Sequence, residues 1–232
     1  MKIKLLFDST CLFPLLSCDD RVNEIPKNID HLVYTAPSLE EGINEIESLL
    51  GIKPVLGGRH PNFGTHNALL SLGESTYLEV MAPDLDLPVP KKGRLLNNAY
   101  NHKPKLTTWV LREEQIENMY SEALEKGLKL GKVDSGKREE PDGTILAWKL
   151  TDPYAFPLDG TVPFLISWGD TPHPAKAVPK AGELVEFEIQ HPNPDKVREG
   201  LKNLGVNIKI TKAEKPKIRA KIKTEKGIVI LE

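Results

Sequence analysis

Ile29-Asp30-His31-Leu32-Val33-Tyr34, a short and mostly apolar run with two polar residues side by side, reads as a strand. From Leu39 to Leu50 the apolar period is that of a helix, and Gly51 follows where a left-handed C-cap belongs. The succession then returns twice. Leu106 to Leu111 is strand-like and precedes a helical run, Glu113 to Lys126, with Gly127 as its stop. Leu184 to Ile189 precedes a helix over Asp195 to Leu204, which ends at Gly205. Aligned on the three glycines, His31, Thr108 and Glu186 are equivalent, lying 20, 19 and 19 residues upstream, with separations of 77 and 78 residues. A repeat of that length fixes the architecture before any local motif does.

After each helix there is room for three short strands. The pattern places them at Pro54 to Arg59, His66 to Leu72 and Thr76 to Met81; at Lys129 to Gly136, Thr144 to Leu150 and Val162 to Trp168; and at Asn207 to Lys212, Lys217 to Lys223 and Gly227 to Glu232. Gly57-Gly58, Leu72 to Ser75, Pro141-Asp142-Gly143 and Glu225 to Gly227 read as the turns between them. The proline-bearing stretches 84–104 and 170–182 are connectors. The sequence therefore predicts an α+β fold of tandem βαβββ modules at 28–83 and 105–170, which together form one domain over 28–170, and a third, similar module at 182–232. One sheet with a helix on one face leaves its other face uncovered, so the first two modules must pack edge to edge or curl around a shared cleft. The third either packs on them as an accessory half, the arrangement we favour, or pairs with a second chain as a homodimer contact.

Composition narrows the partners. Lysine and arginine number 31 against 33 acidic residues, a net charge of −2, which provides no broad field for nucleic acid. A small-molecule ligand is the default. Both cysteines, Cys11 and Cys18, lie in the first eighteen residues, so the body has no thiol for catalysis, a metal or a disulfide. Residues 1–27 form a leader: Lys2 and Lys4, an apolar stretch, then Leu15-Leu16-Ser17-Cys18, which resembles a bacterial lipoprotein signal and implies a membrane anchor at Cys18. Asp8 and Pro14 interrupt the apolar stretch, and the alternative is an untidy leader on a cytoplasmic protein.

Three runs carry a resemblance: Asn28 to Tyr34; Gly57-Gly58-Arg59-His60-Pro61 with Gly64 to Leu70; and Tyr77-Leu78-Glu79-Val80. With Pro163 to Gly169 and His173-Pro174 they look like the glyoxalase-like branch of the vicinal oxygen chelate superfamily, over about residues 28 to 205. The resemblance implies ligand residues on the first and last strands of a module, facing a cleft between a module pair. Carried over, these are His31 and Glu79, which suit a divalent Zn, Fe, Mn, Ni or Co ion with open positions for a chelating, oxygen-rich substrate. His66 could supply a third ligand, and Glu79 could leave the ion to act as general base. Arg59, His60, His66, Asn67 and Trp168 are the candidate substrate contacts.

The sequence departs from that pattern in the second module. Thr108 occupies the first-strand ligand position, and Ser167 or Ile166 the last-strand one. Glu186 could contribute only if the third module closes over the first. His173 and His191, each flanked by proline, read as connector residues, and His102 as exposed. The residues thus leave open a metal-dependent lyase, isomerase or dioxygenase and a metal-free small-molecule-binding protein. No phosphate loop, dinucleotide fingerprint, paired-cysteine knuckle or nucleophile elbow is present.

Overall fold

The computed structural model describes residues 25–101, 103–139 and 145–232. The leader through residue 24 with Cys18, His102 and the Pro141-Asp142-Gly143 turn lie outside the described residues.

The first module runs β1 (Ile29–Thr35), α1 (Leu39–Leu50), β2 (Val55–His60), β3 (Thr65–Ser71) and β4 (Tyr77–Pro83). The second repeats it as β5 (Lys105–Arg112), α2 (Ile116–Glu125), β6 (Val133–Glu139), β7 (Ile145–Thr151) and β8 (Phe164–Ser167). Local chemistry sets the helix ends. Ser38 caps α1 by accepting from the Glu41 N–H, and Gly51 closes it at φ 80°. Gly127 and Gly205 take the same left-handed conformation, at φ 83° and 69°. Gly42 lets α1 settle on the sheet, since a Cβ there would stand 2.6 Å from a Val80 methyl.

The modules join through antiparallel pairing of β1 with β5, giving one eight-stranded sheet in the order β2-β3-β4-β1-β5-β8-β7-β6. In each module the first strand lies parallel to the last, β1 beside β4 and β5 beside β8. This is the curved α+β arrangement of βαβββ modules expected from the repeat. One face of the sheet carries α1 and the main core, in which Ile29, Leu32, Leu70, Leu78, Trp109 and Leu111 are completely buried or nearly so. The opposite face holds a second apolar cluster, including Val33, Leu69, Tyr77, Met81, Val110 and Ile166.

The last third of the chain keeps the element order and changes the pairing. It consists of β9 (Glu183–His191), α3 (Pro194–Asn203), β10 (Lys209–Lys212), β11 (Lys217–Thr224) and β12 (Gly227–Leu231). Its sheet order is β10-β9-β11-β12, with β9 parallel to β10 rather than to its last strand. Phe187, Ile189 and Ile218 of this sheet join the α1-side core, and the Phe187 ring lies 5.0 Å from that of Trp109. It therefore packs within the same chain as an accessory layer behind the main sheet, leaving the other face free.

Gly57-Gly58 is not a turn. Both glycines lie within β2, where the pairing with β3 slips between Leu56 and Arg59. The bulge accommodates a side chain from the next strand.

Candidate functional site

The face turned away from α1 forms a cleft of about 90 Å³ between the two halves of the eight-stranded sheet. Its wall is mostly apolar, with Phe63, Tyr77, Trp148, Phe164 and Trp168 as its aromatic residues and His31, His60, Asn67 and Glu79 as its polar ones. Strand alternation selects them: Asn67 and Leu69 of β3, and Tyr77, Glu79 and Met81 of β4, point to this side.

His31 and Glu79 face one another across β1 and β4. His31 Nε2 faces Glu79 Oε2 at 3.5 Å, and both side chains are buried. Each is held from behind. His31 Nδ1 lies 2.7 Å from Asp30 Oδ1, and the ring stacks on Tyr77 with centroids 4.5 Å apart. Glu79 Oε1 accepts from Asn67 Nδ2 at 2.6 Å, while Asn67 Oδ1 accepts from the Gly58 N–H at 2.7 Å. That pair of bonds fixes which end of the Asn67 amide is which. A Cβ at Gly57 would overlap Asn67 Oδ1, so the glycines of β2 make room for the side chain that orients Glu79.

Asp30 is fully buried and collects three donors. Besides His31, Trp168 Nε1 donates to Oδ2 at 3.0 Å and His173 Nε2 does so at 3.0 Å, with the Arg112 guanidinium 4.0 Å away. Burial opposes its ionisation, but the hydrogen bonds from His173 and His31 outweigh that effect and pull its pKa down to about 2. His173 Nδ1 accepts from the Ala175 N–H, which leaves Nε2 to carry the proton given to Asp30. An ionised Asp30 only accepts, so His31 presents Nδ1–H to it and directs Nε2 at Glu79.

His60 belongs to the cleft wall, with Nδ1 3.1 Å from Thr65 Oγ1 and Nε2 3.4 Å from Asn67 Nδ2. Trp168 lines the wall as well. Arg59 and His66 do not reach it. Arg59 is half-exposed and forms a two-pronged bond to Asp84 at 2.5 and 2.9 Å, which holds that carboxyl below its ordinary pKa. His66 alternates with Asn67 on β3 and so points to the opposite side, 3.9 Å from Asp84. It cannot be the third ligand beside Glu79.

Strand register also corrects the second half. Across the β1–β5 pair His31 is opposite Val110 and Val33 opposite Thr108, the reciprocity expected of a two-fold repeat. Val33 lies beside Glu79 on β4, and Val110 beside Phe164 on β8. Phe164, not Ser167 or Ile166, therefore takes the place of Glu79. Thr108 is buried and donates to the Gly160 carbonyl, and Glu186 pairs with Lys221 on the accessory sheet. Asp30, Tyr77 and His173 are the site residues that sequence reasoning missed. Tyr100 is a fourth neighbour: burial raises its phenol pKa, with the Glu79 charge adding to the effect, and its hydroxyl has no hydrogen-bond partner among the described residues.

One imidazole nitrogen and one carboxylate do not complete a metal site. Open catalytic centres ordinarily take three protein ligands, and among the described residues no three His, Cys, Asp or Glu side chains cluster for an ion. The chemistry that the chain itself provides here is an imidazole and a carboxyl facing one another in a largely apolar cleft.

The family model of the glyoxalase-like domain matches residues 29–205. No curated protein matches the sequence. Among solved structures, a hypothetical protein from Staphylococcus aureus is 15% identical, with a TM-score of 0.61 over 88% of this chain and 98% of its own. Methylmalonyl-CoA epimerase from Mycobacterium tuberculosis is 16% identical at a TM-score of 0.40, over 60% of this chain and 85% of its own. The epimerase from Streptomyces coelicolor in complex with 2-nitronate-propionyl-CoA is 13% identical at 0.42, over 63% and 98%.

Proposed function

The chain belongs to the glyoxalase-like domain family of the vicinal oxygen chelate superfamily, and on that premise we propose that its cleft binds a small carbonyl compound and moves a proton at the carbon beside the carbonyl. The supporting observation is the approach of His31 Nε2 to Glu79 Oε2 at 3.5 Å at the polar end of an otherwise apolar cavity. Asp30 occupies Nδ1, so only Nε2 of His31 can exchange a proton with Glu79 or with a ligand. Asn67 holds the other oxygen of Glu79, which leaves Oε2 as the basic atom presented to the cleft. In this scheme Glu79 takes the proton from carbon as general base, and protonated His31 Nε2 donates toward the oxygen on which negative charge gathers. Returning the proton to the opposite face of the same carbon, or to a neighbouring carbon, gives an isomerisation. Expulsion of a leaving group gives a lyase.

The experiment is carbon–deuterium exchange in heavy water, followed by proton NMR, on a panel of aldehydes, ketones, 2-oxo acids and acyl thioesters. The parent protein is expected to catalyse exchange in at least one class, and Glu79→Gln to lose it by roughly 100-fold or more. Saturable binding of panel members without exchange in any class overturns proton transfer. That outcome instead favours a metal-free binding protein, for which one observation speaks: the second half places Thr108 and Phe164 where the first has His31 and Glu79.

A further inference from the structure

We infer that the cleft selects a neutral, aromatic-sized carbonyl compound and rejects carboxylates and phosphates. This names the substrate class of the site proposed above and rests on that assignment of the cleft. It follows from what faces the cavity and what does not. Among the described residues no lysine or arginine lines the cavity, so a carboxylate or phosphate meets no guanidinium or ammonium there to pair with. Arg112, whose guanidinium lies 4.0 Å from Asp30, is not on the wall and gives its Nη1 to the Ser75 carbonyl. Arg59, which would be the natural anion hook on β2, is already paired with Asp84.

The charges that are present repel anions. Asp30 is ionised and fully buried behind His31, and Glu79 presents a second carboxyl to the cavity. Two carboxyls, Asp30 and Glu79, flank a single imidazole, so one cation at most stands against two acidic groups. An anion about 6 Å from one uncompensated negative charge, at an effective dielectric constant of about 20, is disfavoured by roughly 100-fold relative to a neutral isostere.

The walls specify the rest. The Trp148 and Trp168 rings are inclined to one another with centroids 5.9 Å apart, and Phe164 meets the edge of His31 at 6.2 Å. Phe63 and Tyr77 complete an aromatic lining, and Leu69, Met81, Leu146 and Leu150 fill between. Flat faces at inclined angles favour a planar or branched apolar body, because ring pairs stack offset or edge to face. The polar end offers a donor and an acceptor for one carbonyl group.

The test is a ligand-observed NMR titration of the full chain with matched pairs: acetophenone against benzoate, and benzaldehyde against phenyl phosphate. The neutral member of each pair is expected to bind at least roughly 100-fold more tightly. Glu79→Gln should narrow that ratio to about tenfold or less, and Trp148→Ala should weaken acetophenone by about tenfold. Equal binding within a pair, preference for the anion, or no binding by either member overturns the inference. Binding is read independently of turnover, so neutral selectivity with no deuterium exchange would sink proton transfer and leave the ligand class standing.

Discussion

Replacing Asp30 with asparagine is the most informative single perturbation of the fold and the site together. The wild-type carboxylate is fully buried, and its pKa falls from 3.8 to about 2 because hydrogen bonds from His173 and His31 overcome the cost of burial. At roughly 1.4 kcal/mol per pKa unit, the depressed value corresponds to about 2 kcal/mol of stability at neutral pH. The sign follows from the direction of the shift: a carboxyl that is more acidic in the folded state stabilises above the unfolded pKa of 3.8, and this contribution disappears as pH falls through about 2. Asparagine keeps the shape but offers one acceptor and an unwanted donor to His31, His173 and Trp168. The variant should therefore be less stable at pH 7 by about 2 to 4 kcal/mol, out of a total on the order of 5–15. Urea unfolding followed by tryptophan fluorescence measures the gap. It should shrink to about half near pH 3, where the wild-type carboxyl has begun to lose its advantage. A gap below about 0.5 kcal/mol at pH 7, or one that stays constant between pH 7 and pH 3, would refute the assignment of Asp30 as the charged anchor of the site.

Other outcomes follow from single contacts. Gly57→Ala should displace Asn67, cost about 1–3 kcal/mol in urea unfolding and reduce carbon–deuterium exchange, because its Cβ competes for the space of Asn67 Oδ1. His66→Ala should leave acetophenone affinity within about twofold, as the side chain points away from the cleft. Arg59→Ala should leave the urea midpoint nearly unchanged despite its short bonds to Asp84, because the arginine is half-exposed and its charge is screened by solvent. Phe187→Ala should destabilise by about 3–5 kcal/mol and raise hydrogen exchange first in the accessory sheet, since its ring is what meets Trp109 across the two layers.

The repeat was readable because it is written in backbone chemistry. Gly51, Gly127 and Gly205 all adopt the left-handed conformation that ends a helix, and a short apolar-rich strand precedes each helix. The accessory sheet shows the limit of that signal: βαβββ order is preserved, but whether the first strand pairs with the last or with the one after the helix depends on edge contacts that no local pattern encodes. His31 and Glu79 were legible as a histidine and a carboxylate on strands otherwise apolar. His66 was chosen by residue type, whereas the period of two shows that Asn67, its neighbour, shares a face with Leu69. Gly57-Gly58 looked like a turn because glycine pairs usually are, and its real cause, an amide packed across a bulge, is a contact with another strand. His173 lies 143 residues from Asp30, and its bond to that carboxylate appears only when the two halves close. Asp30 itself sat in view beside His31, and a charge flanked by Ile29 on a buried strand was the clue that a partner had to exist.

The central claim is that Asp30 pins one nitrogen of His31 and leaves the other facing Glu79. Nitrogen-15 NMR of the His31 imidazole through a pH titration tests it most directly. Nδ1 is expected to keep the chemical shift of a protonated nitrogen throughout, with Nε2 alone responding to pH and responding differently in Glu79→Gln. An Nδ1 that titrates, or an Nε2 indifferent to the Glu79 substitution, would contradict the account.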